Sequence, residues 1–360
     1  MTEVAFLVNG GYESPMGYRA RSFAAHLADS YDIGIAYRSS NKFAAILRFV
    51  KFLFSNRPTV TYVFDMAFSG VLAAVLHKIL TRTQLIIDTG DSISALARSM
   101  GRGRIGIWLT ECLEKMSFMF ADCIVVRGTF HRELLRNNRI RAELIRDGVD
   151  AAQFAPRDAT ELRREKELEG VLTIGVVGSS VWNNKFQMGY GWDLIEVVRL
   201  LKDKPVKGII IGDGSGILRL KALCREYAIE DKVLFPGFVP YAHLPLYLSM
   251  IDVCLSTQTN DVVGQVRTTG KLPLYLASGR YILASKVGEA ALVLDDEMLV
   301  PYNGVKDESY PLKLAERINQ LLERRGSFRP LENNIALARE QFDYSVLSTS
   351  VAAVIDSLAR

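Results

Sequence analysis

Short β-branched apolar runs alternate with helical stretches along the chain, each pair joined by a glycine-rich or polar break. VAFLVNGG leads into YRARSFAAHLADS, IGIAYR into KFAAILRFVKFLF, TVTYVFD into FSGVLAAVLHKIL, and QLIIDTGD into ISALARSM. ADCIVVRG precedes FHRELLRNN, and RAELIRDGVD closes this half. The strand-like runs are continuously apolar rather than alternating, the pattern of strands buried on both faces of a parallel sheet. After the charged segment ELRREKELEG the cycle restarts with VLTIGVVG, WDLIEVVRLLK, VKGIIIGDG and ILRLKALCREYA, and runs on through KVLFPGFV, DVCLST and YILAS. A doubled cycle predicts two open α/β sheets joined near 155–170. The final stretch, ALAREQFDYSVLSTSVAAVIDSLAR, reads as two helices. No repeat of about 20–50 residues recurs, which argues against a solenoid.

At 360 residues the chain is long enough for two domains with separate cores. An apolar fraction of 49% with a net charge of only +4 excludes disorder. Cys112, Cys123, Cys224 and Cys254 are spaced neither as zinc ligands nor as a disulfide framework, and the four histidines are equally scattered. No metal is expected, and the reducing cytoplasm is the expected compartment. The N-terminus lacks the basic region of a signal peptide. The longest uncharged apolar run, Met66 to Leu76, has 11 residues, against about 20 needed to span a bilayer. Charge is uneven: residues 1–157 hold 20 Lys+Arg and 14 Asp+Glu, net +6, and the remainder is net −2. A basic half points to anionic partners, whether nucleic acid, lipid or phosphorylated substrates.

Three glycine-rich turns follow apolar runs and precede helical ones: Asn9-Gly10-Gly11, Gly178-Ser179-Ser180 and Gly212-Asp213-Gly214-Ser215-Gly216. Free N–H groups at such turns, with the positive end of a helix dipole, suit a phosphate. Tight α/β turns also need glycine whatever they bind. The third turn lacks the full G-x-G-x-x-G and the acidic residue about 20 positions on that a dinucleotide fold requires.

In order along the chain, several segments resemble family-4 glycosyltransferases with the GT-B fold. IGVVGSS, GIIIGDGSG, KVLFPGFVPYAHLPLYLSMIDVCLST and GKLPLYLASGRYILASKVGEAALVL are similar to successive parts of that family's donor domain. ADCIVVRGTFHRELL and LIRDGVDAAQFAP resemble the last two units of its acceptor domain. The resemblance implies an α/β chain of two Rossmann-like domains whose parallel sheets face an interdomain cleft. Residues 1–157, with a returning helix at about 345–360, would form the acceptor side, and 170–344 the donor domain. It implies a retaining, metal-independent transfer of sugar from a nucleotide diphosphate-sugar, the co-substrate, to a glycan or lipid-linked acceptor, with no other cofactor. Asp91 is then the catalytic candidate, with Gly10 and Gly11 on the acceptor side. Gly178, Ser179, Lys185, Gly212, Arg267, Thr268 and Lys271 become the donor- and phosphate-binding candidates.

This sequence departs from the family at its most characteristic places. Val266 and Leu274 stand where the family has two glutamates eight residues apart, associated with donor sugar and ribose. Ser179 replaces an arginine, and Gly90, in Asp88-Thr89-Gly90-Asp91, replaces a histidine. The loop Gln265–Lys271 offers compensation, since a guanidinium clamps phosphate bidentately and lysine adds a point charge. Trp182, Tyr190 and Trp192, near Asn183 and Asn184, suit stacking on sugar or base, or plain core packing. Residues 41–57 read as an amphipathic helix with Arg48, Lys51 and Ser55 on a narrow polar stripe, fit either to adsorb to an anionic membrane or to pack as a domain helix. The expected setting is cytoplasmic, peripheral on the inner face of the plasma membrane, with no nucleic acid partner. Two rivals remain: a non-catalytic GT-B homologue acting as a binding partner, and a nucleotide-sugar epimerase.

Overall fold

A computed structural model describes residues 2–38, 41–325 and 327–359. The chain divides into two compact units: Met1–Gly148 with Gln265–Thr269 and Gln341–Arg360, and Val149–Gly264 with Gly270–Glu340.

The first unit runs β1 (Thr2–Val8), α1 (Pro15–Leu27), β2 (Tyr31–Tyr37), α2 (Lys42–Asn56), β3 (Val60–Phe64), α3 (Phe68–Thr81), β4 (Gln84–Thr89), α4 (Ile93–Ser99), α5 (Arg104–Phe120), β5 (Cys123–Val126), α6 (Thr129–Asn137) and β6 (Ala142–Leu144). Its sheet has the order β2-β1-β3-β4-β5-β6, all parallel. Helix starts follow local chemistry. Ser14 caps α1 by accepting from Gly17 N–H at 3.1 Å, with Pro15 as first helical residue. Asn41 caps α2 in the same way, accepting from Phe43 and Ala44. α2 and α3 end on Arg57 and Arg82 in left-handed conformations, whose N–H groups bond back to Leu53 and Lys78.

Phe6, Phe23 and Phe64 form the core of one sheet face, beneath α1, and Phe49, Leu53, Val71 and Leu113 the core of the other, beneath α2, α3 and α5. The amphipathic reading of 41–57 is therefore divided. Ala45, Phe49 and Leu53 of α2 serve the core, while Phe43, Leu47 and Phe54 stay exposed beside Arg48 and Lys51.

The second unit contains α7 (Thr160–Glu165), β7 (Leu172–Val177), the hairpin β8 (Trp182–Asn183) and β9 (Met188–Gly189), α8 (Trp192–Leu200), β10 (Val206–Ile211), α9 (Ile217–Glu226), β11 (Val233–Gly237), α10 (Leu244–Ser249) and β12 (Val253–Ser256). There follow α11 (Val262–Val266), α12 (Lys271–Ala277), β13 (Tyr281–Ser285), α13 (Ala290–Val293), β14 (Leu299–Val300), α14 (Tyr310–Leu321) and α15 (Glu332–Gln341). Its sheet is ordered β11-β10-β7-β12-β13-β14, again parallel. The last helix, α16 (Tyr344–Ala359), packs on α1 and adds Leu347, Val351 and Ile355 to the first core. Tyr31 donates to Asp356 at 2.7 Å, fixing it there.

The division falls at Gly148, ahead of the 157 read from the sequence. Side chains and backbone just beyond Gly148 are held by the second unit. Phe154 stacks edge-on against Tyr241 at 4.7 Å, and Arg157 N–H donates to Ser249 Oγ at 2.9 Å. No described helix is long and apolar enough to cross a membrane.

Candidate active site

In open parallel sheets, ligands bind beyond the carboxyl ends of the strands, where the chain reverses direction along the sheet. That point lies between β1 and β3 in the first unit and between β7 and β12 in the second. Polar residues gather at both.

In the first unit Asn9, directly after β1, donates to the Asp65 carbonyl at 2.7 Å and accepts from Gly70 N–H at 2.9 Å. It thereby ties the ends of β1 and β3 to the start of α3. Asp65 sits at φ 73°, and burial pushes its carboxyl above the ordinary range. Gly10 and Gly11 serve the turn itself: a side chain at 10 would collide with Ser14 Oγ, and the Gly11 carbonyl accepts from Ser14 N–H at 3.1 Å. Behind them Asp88, fully buried at the end of β4, takes Arg19 Nε at 2.9 Å, Arg127 Nε at 2.8 Å and the Tyr62 hydroxyl at 3.1 Å. Burial opposes its charge, but the two guanidiniums outweigh burial and hold its pKa below the usual carboxylate value. Arg19 also donates to the carbonyls of Ile145 and Arg146, at 2.9 and 2.6 Å.

The glycine at 90 has a physical reason. A Cβ there would lie 2.8 Å from Arg127 Nη1, so the guanidinium occupies the space a side chain would need. Arg127 also reaches Asp147 at 3.6 Å. Asp91, the catalytic candidate, is paired through Oδ1 with Arg267 Nε at 2.7 Å. Thr268 donates to Asp147 Oδ2 at 2.9 Å. Arg267 and Thr268, expected on the donor side, thus belong to the first unit, because the anions they meet are its carboxylates. Val266 is fully buried and Leu274 nearly so. Neither offers a polar group where the resemblance implied glutamates.

His131, on the first turn of α6, was not singled out by sequence. It is buried, its Nδ1 has no hydrogen-bond partner, and burial lowers its pKa to about 4. The imidazole is therefore neutral at physiological pH.

In the second unit two glycine turns interlock. Gly178 N–H donates to Ile211 O at 2.9 Å, Ser180 N–H to Asp213 O at 2.9 Å, and Gly216 N–H to Ser180 O at 2.8 Å. Gly178 and Gly212 have φ of 139° and 131°, and a Cβ on Gly212 would collide with the Gly178 carbonyl. Only glycine fits this pairing. Gly212→Ala should cost the fold about 1–3 kcal/mol, the range for a residue forced into a sparsely populated conformation. A calorimetric melt would register the loss, and an unchanged midpoint would contradict the tight pairing.

Lys271 begins α12 with its Cε 2.6 Å from the position of a Cβ on Gly178, and its ammonium 3.7 Å from the centre of the Tyr190 ring. Tyr190 is anchored in turn, donating to the Leu255 carbonyl at 3.1 Å. A lysine thus stands at the first turn, beside Ser179, which is exposed. Lys185 is elsewhere: it lies in the exposed tip of the β8–β9 hairpin, 5.1 Å from the Phe186 ring, and joins neither glycine turn. Trp182 is half-exposed with Arg219 at 6.0 Å, and Trp192 lies under Lys306 at 5.3 Å. Among the described residues no cluster of three His, Cys, Asp or Glu is placed to hold a metal ion.

Sucrose-phosphate synthase from Thermosynechococcus elongatus superposes with a TM-score of 0.79 at 16% identity, over 99% of each chain. HepE of Anabaena, solved with UDP and glucose, gives 0.77 at 15% identity, over 99% of this chain and 100% of its own. The chain has the GT-B fold. Within the GT-B chain, residues 172–324 match the family model of glycosyl transferases group 1, a span that holds both interlocked glycine turns and Lys271. Alpha-monoglucosyldiacylglycerol synthase of Streptococcus pneumoniae is 26% identical over 172 residues, 45% of this chain and 37% of that relative. The chain spans less than half the length of the curated relatives it matches.

Proposed function

We propose that the protein transfers a sugar from a nucleotide diphosphate-sugar to a hydroxyl acceptor, with retention of configuration and without a metal. The observation that carries this reading is the turn after β7. Gly178 there meets the Lys271 side chain, inside the span matching group 1 glycosyl transferases. A diphosphate seated on that turn would face the Lys271 side chain, since the Gly178 and Ser180 N–H groups already bond to Ile211 and Asp213, and the lysine would stabilise the charge that develops as the sugar departs. The acceptor hydroxyl would attack the anomeric carbon as the bond to the diphosphate breaks, and its proton would pass to the departing diphosphate. Gly10, Gly11, Asp65 and Asp91 fall on the acceptor side of this reading. Ser179 and Lys271 fall on the donor side, and Arg267 orients Asp91.

The acceptor is a glycan or a lipid-linked molecule, and the protein works in the cytoplasm at the inner face of the plasma membrane. The S. pneumoniae relative, by its name a glycolipid synthase, supports the lipid-linked choice. A second reading, a homologue that binds nucleotides without turnover, is favoured by the buried Val266 and Leu274. Product analysis with nucleotide sugars, with and without acceptors, separates the readings. Glycosylated acceptor supports transfer. Epimerised donor without acceptor makes the chain an epimerase, and binding without any product makes it a binding homologue.

A further inference from the structure

The outer side of α2, α3 and α5 carries a surface unlike the rest of the first unit. α2 packs on α3 and α3 on α5, so their outward sides are continuous. Along α3, Leu72, Leu76, Ile79 and Leu80 are all exposed, at the spacing of a single helical stripe. α2 adds Phe43 and Leu47, which are 80% and 73% exposed, and α5 adds Ile105 and Trp108, at 76% and 60%. Single apolar residues on a surface are ordinary, but a contiguous patch marks a place of contact.

The charges on the same helices say with what. Residues 42–57 and 68–82 contain six Lys or Arg and no acid; residues 93–120 add four basic residues and two glutamates. That is +8 over segments that include α4 beside α2, α3 and α5, more than the +6 of residues 1–157 together, with Lys78 already paired to Asp122. Both acids are already engaged, Glu111 by Arg98 at 2.5 Å and Glu114 by Ser94. We propose that this face docks on an anionic lipid bilayer, apolar side chains entering the interface while the basic residues meet lipid phosphates. A second copy of the chain is the poorer occupant, since it would set two strongly positive faces against each other. α2 alone is too narrow, because Phe49 and Leu53 are spent on the core. The proposal rests on the reading that the protein works at a membrane, and names the surface responsible.

Co-sedimentation with vesicles of phosphatidylcholine alone, and of phosphatidylcholine mixed with phosphatidylglycerol, tests it. Wild type should bind only the mixed vesicles and be released by salt, because the attraction is screened within about 8–10 Å. Arg48→Gln with Lys51→Gln should weaken binding about 25-fold, at about fivefold per cation. Ile79→Ser with Trp108→Ser should also release the protein, and on α3 and α5 it separates this surface from adsorption by α2 alone. All four side chains lie on the surface, so the melting temperature and nucleotide affinity should stay those of wild type. Wild type that ignores mixed vesicles would overturn the membrane setting. Wild type that binds while the Ile79–Trp108 variant binds equally well would overturn this surface alone. A dimer in analytical ultracentrifugation that the same variant abolishes would assign the face to a second copy instead.

Discussion

Asp88→Ala should destabilise the protein by about 3–5 kcal/mol, the cost of breaking a buried ion pair and leaving its partners charged. Two guanidiniums depend on this one carboxylate, Arg19 through Oδ2 and Arg127 through Oδ1, and all three residues are buried. Total stability of a domain is about 5–15 kcal/mol, so the variant should be poorly folded at physiological temperature. The same cluster fixes a pH dependence. The folded pKa of Asp88 lies below its ordinary 3.8. Its contribution is therefore fully present above 3.8 and lost as pH falls through the folded value. Denaturant melts of wild type and Asp88→Ala at neutral pH give the difference; equal midpoints would mean that Arg19 and Arg127 are held by something else.

Asp193→Asn should act in the opposite direction. Asp193 sits on the first turn of α8, buried, with Oδ1 lacking any hydrogen-bond partner, and burial raises its pKa to about 7. In the unfolded chain the carboxyl has its ordinary value of 3.8. Between those values the unfolded carboxyl is ionised while the folded one keeps its proton, so the group increasingly favours unfolding as pH rises, reaching its full cost above about 7. At about 1.36 kcal/mol per unit this amounts to at most about 4 kcal/mol. Asp193→Asn, which cannot ionise, should raise the melting temperature at about pH 8 and do so hardly at all at about pH 4. A gain equal at both pH values would show that the effect is packing rather than charge.

The alternation of apolar runs and helices was sufficient to read both parallel sheets, because strands buried on two faces have a composition no surface element shares. The glycine turns were legible for the same local reason. α5 was not, since Gly101, Gly103 and Gly106 interrupt the pattern at its start. The first-unit cluster was out of reach: Arg19 and Asp88 are 69 positions apart, and Asp88 and Arg127 are 39 apart, joined only by the sheet order. Arg127 filling the space at Gly90 belongs to the same class of fact. For Arg267 the chemistry was legible and the partner was not. The loop does seek an anion, but the anion it holds is the carboxylate of Asp91. Lys185 became a candidate only through its place in the family resemblance, and the hairpin that carries it leaves it exposed.

The most direct test of a donor site at the turn after β7 is calorimetric titration of nucleoside diphosphates and their parent nucleosides into wild type and Lys271→Ala. At least one diphosphate should bind far better than its nucleoside. Lys271→Ala should weaken that diphosphate by about 1.5–3 kcal/mol, the range for hydrogen bonds to charged groups, and leave the nucleoside unaffected. Diphosphates that bind no better than nucleosides, or that bind both proteins alike, would contradict a donor site at this turn.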